Sequence, residues 1–222
     1  MGKLYIVATP IGNLEDITLR ALRILKEVDI IACEDTRRTL KLLNHYEIKN
    51  KLLSYHAYNE EKAGLKIIAY LQEDKSVALV SDGGTPGISD PGAAIVHKAR
   101  DKGIEVVPLP GASAFTALLS ASGFPVKGVF FEGFLYQKGN KRKKRLKELL
   151  EREAGSIVFE SPYRICKLLT EISEIDSKRI LVIGRELTKI YEEIITDTAQ
   201  NLLTYYEKKK KIKGEFTIYI SS

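Results

Sequence analysis

Residues 77–92 read Val77-Ala78-Leu79-Val80-Ser81-Asp82-Gly83-Gly84-Thr85-Pro86-Gly87-Ile88-Ser89-Asp90-Pro91-Gly92. The first four are apolar and partly β-branched, which predicts a short buried strand. A helical pattern follows over Gly92–Asp101, with Gly103 to stop it. Between strand and helix, residues 81–92 hold four glycines and two prolines. A plain strand-to-helix turn needs about two to six residues. The extra length and the glycines point instead to a loop whose backbone N–H groups approach a ligand. In a parallel α/β sheet the carboxyl ends of the strands are where ligands bind. The segment is not Gly-x-Gly-x-x-Gly and no Walker lysine follows it, which disfavours a dinucleotide or nucleoside-triphosphate site.

On either side, short apolar runs alternate with helical patterns. Leu4–Ala8, Val28–Ala32, Leu52–Tyr55 and Ile104–Val107 read as further buried strands. Helices are predicted at Asp16–Val28, with Ile17, Ala21, Ile24, Leu25 and Val28 on one face, and at Thr36–His45 and Glu60–Gln72. Such alternation predicts an α/β fold with a mostly parallel sheet and helices on both faces. The pattern then changes. A helix at Ala112–Ser122 leads to the Gly123-Phe124-Pro125 break and a strand at Val129–Phe134. A basic helix (Lys141–Glu153), strand Ser156–Phe159 and helix Tyr163–Ile172 follow. Strands Ile180–Ile183 and Tyr191–Thr196, helix Ala199–Glu207 and strand Glu215–Ile220 complete the chain. This predicts two α/β domains, 1–114 and 115–222, the second with a mixed sheet.

With 44% apolar and 29% charged residues in 222, the chain is long enough for two cores and is no disordered tail, collagen or disulfide miniprotein. No apolar run reaches the roughly 18 residues of a membrane span, and no signal peptide is visible. Cys33 and Cys166 share no motif, which suggests a reducing, cytoplasmic compartment. Three scattered histidines argue against a metal site. The net charge of +6 is uneven. Lys138, Lys141, Arg142, Lys143, Lys144, Arg145 and Lys147 form one acid-free run, and Lys208, Lys209, Lys210, Lys211 and Lys213 another. Without these 12 of the 35 basic residues, 23 remain against 29 acids, so the body is acidic. Such patches attract polyanions, with nucleic acid the leading candidate, although a solvated lysine surface would look the same.

Two more loops fall at strand carboxyl ends: Thr9-Pro10-Ile11-Gly12-Asn13 and Leu109-Pro110-Gly111-Ala112-Ser113-Ala114. Each alone is an ordinary turn, but three on one sheet edge would build a pocket. Cys33-Glu34-Asp35-Thr36-Arg37-Arg38-Thr39 ends the second strand, with a simple helix cap the plain alternative for Asp35. Glu160-Ser161-Pro162-Tyr163-Arg164 and Gly184-Arg185-Glu186-Leu187 end strands of the second domain; structural ion pairs are the plain alternative for Arg164 and Arg185. Tyr55, His56 and Tyr58 offer a base-stacking surface or merely a strand end.

In their order along the chain, Val7–Leu14, Glu34-Asp35-Thr36-Arg37, Ser81–Gly92 and Phe159–Arg164 resemble the small-subunit ribosomal RNA methyltransferase I group of the tetrapyrrole (corrin and porphyrin) methylase superfamily. The resemblance covers nearly the whole chain. It implies a homodimer of two-domain subunits, S-adenosylmethionine in the cleft between the domains, and 2′-O-methylation of a cytidine in 16S ribosomal RNA. Carried onto this sequence, it places Pro10, Ile11, Gly12, Asp82, Gly83, Gly84, Thr85, Ile88, Ser113 and Ala114 beside the cofactor, with Ser161 and Leu187 closing over it. Many members continue past the Gly214-Glu215-Phe216 strand into a helical domain thought to help hold RNA, whereas this sequence ends at Ser222. On that pattern the lysine-rich patches carry more of the RNA contact.

For methyl transfer to a ribose hydroxyl, Asp35 is the candidate base and Glu34 the second. Arg37 and Arg185 would orient phosphate or stabilise the oxyanion. Lys141, Arg142, Lys143, Lys144, Arg145 and Arg164 would contact RNA. Two rivals stay open. One is a tetrapyrrole methylase with the same cofactor, against which the basic runs stand. The other is a non-catalytic RNA-binding or assembly module, which leaves the glycine-rich loop without a purpose.

Overall fold

The computed structural model describes residues 1–124 and 128–222. Pro125, the end of the expected Gly123-Phe124-Pro125 break, lies outside the described residues. The chain divides into Met1–Ser113 and Ala114–Ser222, one residue before the expected boundary.

The first unit is built on five parallel strands: β1 (Leu4–Val7), β2 (Ile30–Cys33), β3 (Leu52–Ser54), β4 (Val77–Val80) and β5 (Val106–Leu109). Their order in the sheet is β3-β2-β4-β1-β5. Helices α1 (Leu19–Glu27), α2 (Thr36–His45), α3 (Glu60–Gln72) and α4 (Ala93–Asp101) connect them. From β1 through β2 to β3 the chain crosses the sheet one way; from β3 through β4 to β5 it returns. Because parallel crossovers are right-handed, reversing direction moves the helices to the other face. The two cores show this. Ala21, Ile24 and Leu25 of α1 and Leu42 and Leu43 of α2 pack on Val7, Ile31, Cys33, Ala78 and Val80. Ala63, Ile67, Ile68 and Leu71 of α3 and Ile95 and Ala99 of α4 pack on the alternate residues Leu4, Ile6, Ile30, Ala32, Val77 and Leu79. Both faces are covered, which is why the strands are apolar without alternation. The fold class agrees with the sequence reading.

Several element ends differ from the sequence reading for local reasons. The expected helix Asp16–Val28 is a short 3₁₀ turn, Leu14–Asp16, followed by α1. The Thr18 hydroxyl accepts from Ala21 N at 3.0 Å and restarts the helix there. β2 begins at Ile30 rather than Val28, since α1 runs to Glu27 and Val28–Asp29 makes the turn. β5 reaches Leu109 and contains Pro108. It pairs only with β1, so as an edge strand it tolerates a residue without an N–H.

The second unit carries a mixed sheet of β6 (Val129–Phe134), β7 (Gly155–Glu160), β8 (Ile180–Arg185), β9 (Glu193–Thr198) and β10 (Phe216–Ile220). The order is β6-β7-β10-β8-β9, with β6 and β7 parallel and the other pairs antiparallel. Helices α6 (Asn140–Leu150), α7 (Ile165–Ile175) and α8 (Ala199–Glu207) bury Leu146, Leu149, Leu168, Leu169, Ile172, Leu202 and Tyr206 against one face. Helix α5 (Ala114–Ala121) packs on β8 and β10, where Gly184 leaves room for Leu118; a Cβ there would sit 2.9 Å from its Cδ1.

Helix α6 corrects one expectation. Arg142, read as an exposed RNA contact, is 1% exposed. Its Nε donates to Glu171 at 2.6 Å, its guanidinium lies 3.4 Å from the buried Glu160 carboxylate, and Nη1 donates to Tyr136 O at 2.9 Å. The basic run is therefore amphipathic by position, not uniformly solvated. Arg142→Ala would leave Glu160 buried without this partner and should lower the unfolding free energy by about 3–5 kcal/mol in urea denaturation. Exposed Lys143→Ala should change it by less than about 0.5 kcal/mol.

Candidate active site

In the first unit, β1 and β4 are neighbours whose outgoing helices lie on opposite faces of the sheet. A crevice opens at such a switch point, at the strand carboxyl ends. Here the loops after β1, β4 and β5 are tied together. Thr9 N donates to Gly84 O at 2.9 Å and Gly84 N to Thr9 O at 2.8 Å. The Thr9 hydroxyl donates to Ser81 O at 3.1 Å and the Thr85 hydroxyl to Ala112 O at 3.4 Å. Gly84 has φ +89°, a conformation that strongly favours glycine. A Cβ on Gly83 would meet Pro10 O at 3.2 Å. Pro10, Ile11, Gly12, Asp82, Gly83, Gly84, Thr85 and Ala112 thus share one sheet edge. Ile88, further along the same loop, is 46% exposed. Ser113 closes the third loop and Ala114 opens α5.

Carboxylates gather at this edge. Asp82 Oδ1 accepts from Asp35 N at 2.9 Å, joining the ends of β2 and β4. Burial, then the charge of Asp82, raises the Glu34 carboxyl above its ordinary value. Burial again, then Glu34 and Asp82, pushes Asp90 up to about 6, with a hydrogen bond from Ser81 acting the other way. His56 and Arg38 oppose the rise at Glu34. Asp90 was not among the sequence candidates; its place beside Pro91 and Gly92 in a ligand-type loop was the available signal.

Asp35 behaves differently. Its carboxylate accepts from Arg37 N at 2.8 Å, Nε at 3.0 Å and Nη2 at 2.7 Å. These bonds hold its carboxyl well below the usual carboxylate range. A carboxylate so held is a poor proton acceptor near neutral pH. The capping alternative describes it better than the expected base role. Arg37 is correspondingly clamped on Asp35, although 86% of its side chain is exposed.

In the second unit, Arg185 pairs with Glu193 at 3.2 Å across β8 and β9, and Arg164 with buried Glu160 at 2.7 Å. Both positions match the structural ion pairs weighed from sequence. Leu187 is buried at 7%, packed near Gly184. The Ser161 hydroxyl is buried and makes no hydrogen bond among the described residues. On α6, Lys141, Lys143, Lys144 and Lys147 are exposed, while Arg145 is held by Glu132 at 2.6 Å and Glu148 at 2.9 Å. Of the proposed stacking residues, Tyr55 is 1% exposed, with its hydroxyl on Glu60 at 3.0 Å, and is a core residue; Tyr58 is 99% exposed.

Residues 3–203 match the family model for tetrapyrrole (corrin/porphyrin) methylases. The chain belongs to that family. Its curated relatives within it carry a more particular name. The ribosomal RNA small subunit methyltransferase I of Borrelia garinii subsp. bavariensis is 49% identical over 219 residues, 98% of each chain. The Bacillus subtilis protein of the same name is 48% identical over 99% of this chain and 75% of its own. The uroporphyrin-III C-methyl transferase of Thermus thermophilus, solved with S-adenyl homocysteine, shares the fold at 17% identity, with TM-score 0.68 over 98% of this chain and 97% of its own.

Asp90 makes stability depend on pH in a definite direction. The folded chain keeps a proton on this carboxyl where the unfolded chain, at an ordinary value of 3.8, has lost it. Stability from this group is therefore full below about pH 4 and falls as pH rises through about 6. Asp90→Asn should raise the unfolding free energy by on the order of 2 kcal/mol at neutral pH and by little at about pH 4. Thermal unfolding at both pH values checks this.

Proposed function

We propose that this protein is an S-adenosylmethionine-dependent methyltransferase that 2′-O-methylates the ribose of a cytidine in the 16S ribosomal RNA of the small subunit, as a homodimer in the cytoplasm. The observation that carries the reading is the knot of three loops around Gly83 and Gly84 at the β1/β4 edge, in a chain whose close relatives are named for ribosomal RNA.

The donor fits the residues present. Pro10, Ile11, Gly12, Asp82, Gly83, Gly84, Thr85, Ile88 and Ser113 would supply main-chain groups from three loops tied together at one sheet edge. When bound, S-adenosylmethionine supplies a methyl group on a positively charged sulfonium. The crowded carboxylates Glu34, Asp82 and Asp90 suit that charge, since burial first and their mutual repulsion second raise Glu34 and Asp90, and a nearby cation would relieve both. The ribose hydroxyl must shed a proton as the methyl arrives. Asp90 and Glu34, held above the ordinary carboxylate range, are better matched to accept it than Asp35. Positioning the two reactants can supply roughly 7–11 kcal/mol of the barrier. Lys141, Lys143 and Lys144, for which no carboxylate partner occurs among the described residues, would track the RNA backbone.

Three measurements test this. Mass mapping of ribosomal RNA after incubation with labelled donor should locate one methyl on a cytidine ribose; label on a tetrapyrrole instead would overturn the reading. S-adenosylmethionine should bind more tightly as pH rises through about 6, with proton release in calorimetry, whereas S-adenosylhomocysteine, which lacks the sulfonium charge, should show a flatter profile. Reversing Lys141, Lys143 and Lys144 to Glu should weaken RNA binding and reduce the slope of log K against log salt by about 0.7–0.9 per lost phosphate contact.

A further inference from the structure

A cavity of about 230 Å³ lies in the first unit between the loop after β1 and helix α2. Ile11, Leu14 and Leu42 give it an apolar lining, and Arg38 and Lys41 supply two cations. The two basic residues are three apart on α2, so they share one helix face. Their charges stand largely uncommitted. Arg37 on the same turn is neutralised by Asp35, but Arg38 meets a carboxylate only at 3.5 Å, on Asp82, and Lys41 has none among the described residues. The wall is fixed in advance: the Tyr46 hydroxyl donates to Leu14 O at 2.7 Å, and the Asn13 side chain caps the Leu14–Asp16 turn. The volume is below the roughly 300–1,000 Å³ of sites that enclose a drug-sized ligand. It suits one nucleotide unit rather than the whole methyl donor. The cavity also shares Pro10, Ile11, Gly12 and Asp82 with the loops assigned to that donor.

We infer that this cavity seats one nucleotide of the substrate RNA strand, its ring against Ile11, Leu14 and Leu42 and its phosphate on Arg38 and Lys41. The inference rests on the reading of the protein as an RNA methyltransferase and names where that substrate enters. An apolar lining with two forward cations is the pairing a nucleotide needs, since every base has a face to stack and every phosphate a charge to neutralise. An anion could also come from the donor's own carboxylate, and the experiment separates the two sources.

The test uses the full chain with Lys41→Gln, Arg38→Gln and Arg38→Lys. Binding of a short single-stranded oligocytidylate is followed by fluorescence anisotropy across salt concentrations, and binding of S-adenosylmethionine by calorimetry. Each glutamine variant should weaken the oligonucleotide about tenfold and lower its salt slope by about 0.7, with donor affinity within about twofold of the parent. Arg38→Lys should restore the slope but only part of the affinity, because an ammonium lacks the guanidinium fork. Loss of donor affinity with the oligonucleotide unchanged would assign the cavity to the donor and overturn the inference. An unchanged salt slope in Lys41→Gln would overturn it as well. Methyl transfer to ribosomal RNA by the parent protein is measured alongside. Transfer with an unchanged slope sinks the cavity and spares the function; expected slopes without transfer sink the function and spare the cavity.

Discussion

Two backbone hydrogen bonds between Thr9 and Gly84 hold the working edge of the first unit together. They matter because the chains leaving β1 and β4 head for opposite faces of the sheet and would otherwise part. A bridge there needs a residue at φ +89°, which Gly84 supplies without steric cost. Thr9 and Thr85 then extend the tie to Ser81 and Ala112, so the third loop is registered to the first two. The site is thereby set by main-chain geometry more than by any one catalytic side chain.

Around that frame, charge is sorted by sign. Glu34, Asp82 and Asp90 crowd the strand ends, at a cost visible in the raised Glu34 and Asp90 carboxyls. Arg38 and Lys41 stand on the neighbouring helix, and Lys141, Lys143 and Lys144 on an exposed turn of the second unit. On the proposed function, the acidic patch suits a cationic donor and the basic patches suit a polyanion. Between the sets the described residues show one ion pair, Arg38–Asp82 at 3.5 Å, whereas Arg142, Arg145, Arg164 and Arg185 are closely paired.

The strand–helix alternation and the three loops were legible because they depend on local composition: apolar β-branched runs, glycines and prolines. The fold class followed from them. What the sequence hid were the partners of charged side chains. Arg142 and Lys143 are neighbours in a run of like residues, and only the helical rotation that buries Leu146, Leu149 and Leu150 decides that one faces Glu160 and the other water. Asp35 looked like a base because two acids end β2. Its three bonds from Arg37 depend on a rotamer that no pattern encodes. Asp90 was overlooked for the converse reason, since its burial and its acidic neighbours arise from β2 meeting β4. β5 runs past the expected Val107 to Leu109, because a strand at the sheet edge accommodates Pro108.

Glu160 joins two segments of the second unit. One oxygen receives its own neighbour's amide, Ser161 N, at 2.8 Å and Arg164 at 2.7 Å; the other faces Arg142 of α6 at 3.4 Å. A lysine-bearing helix and the turn that carries an unused serine hydroxyl therefore share one carboxyl group as a partner. Loss of that group would leave the buried guanidinium of Arg142 with Glu171 as its remaining carboxylate and deprive the Ser161 amide and Arg164 of theirs at the same time.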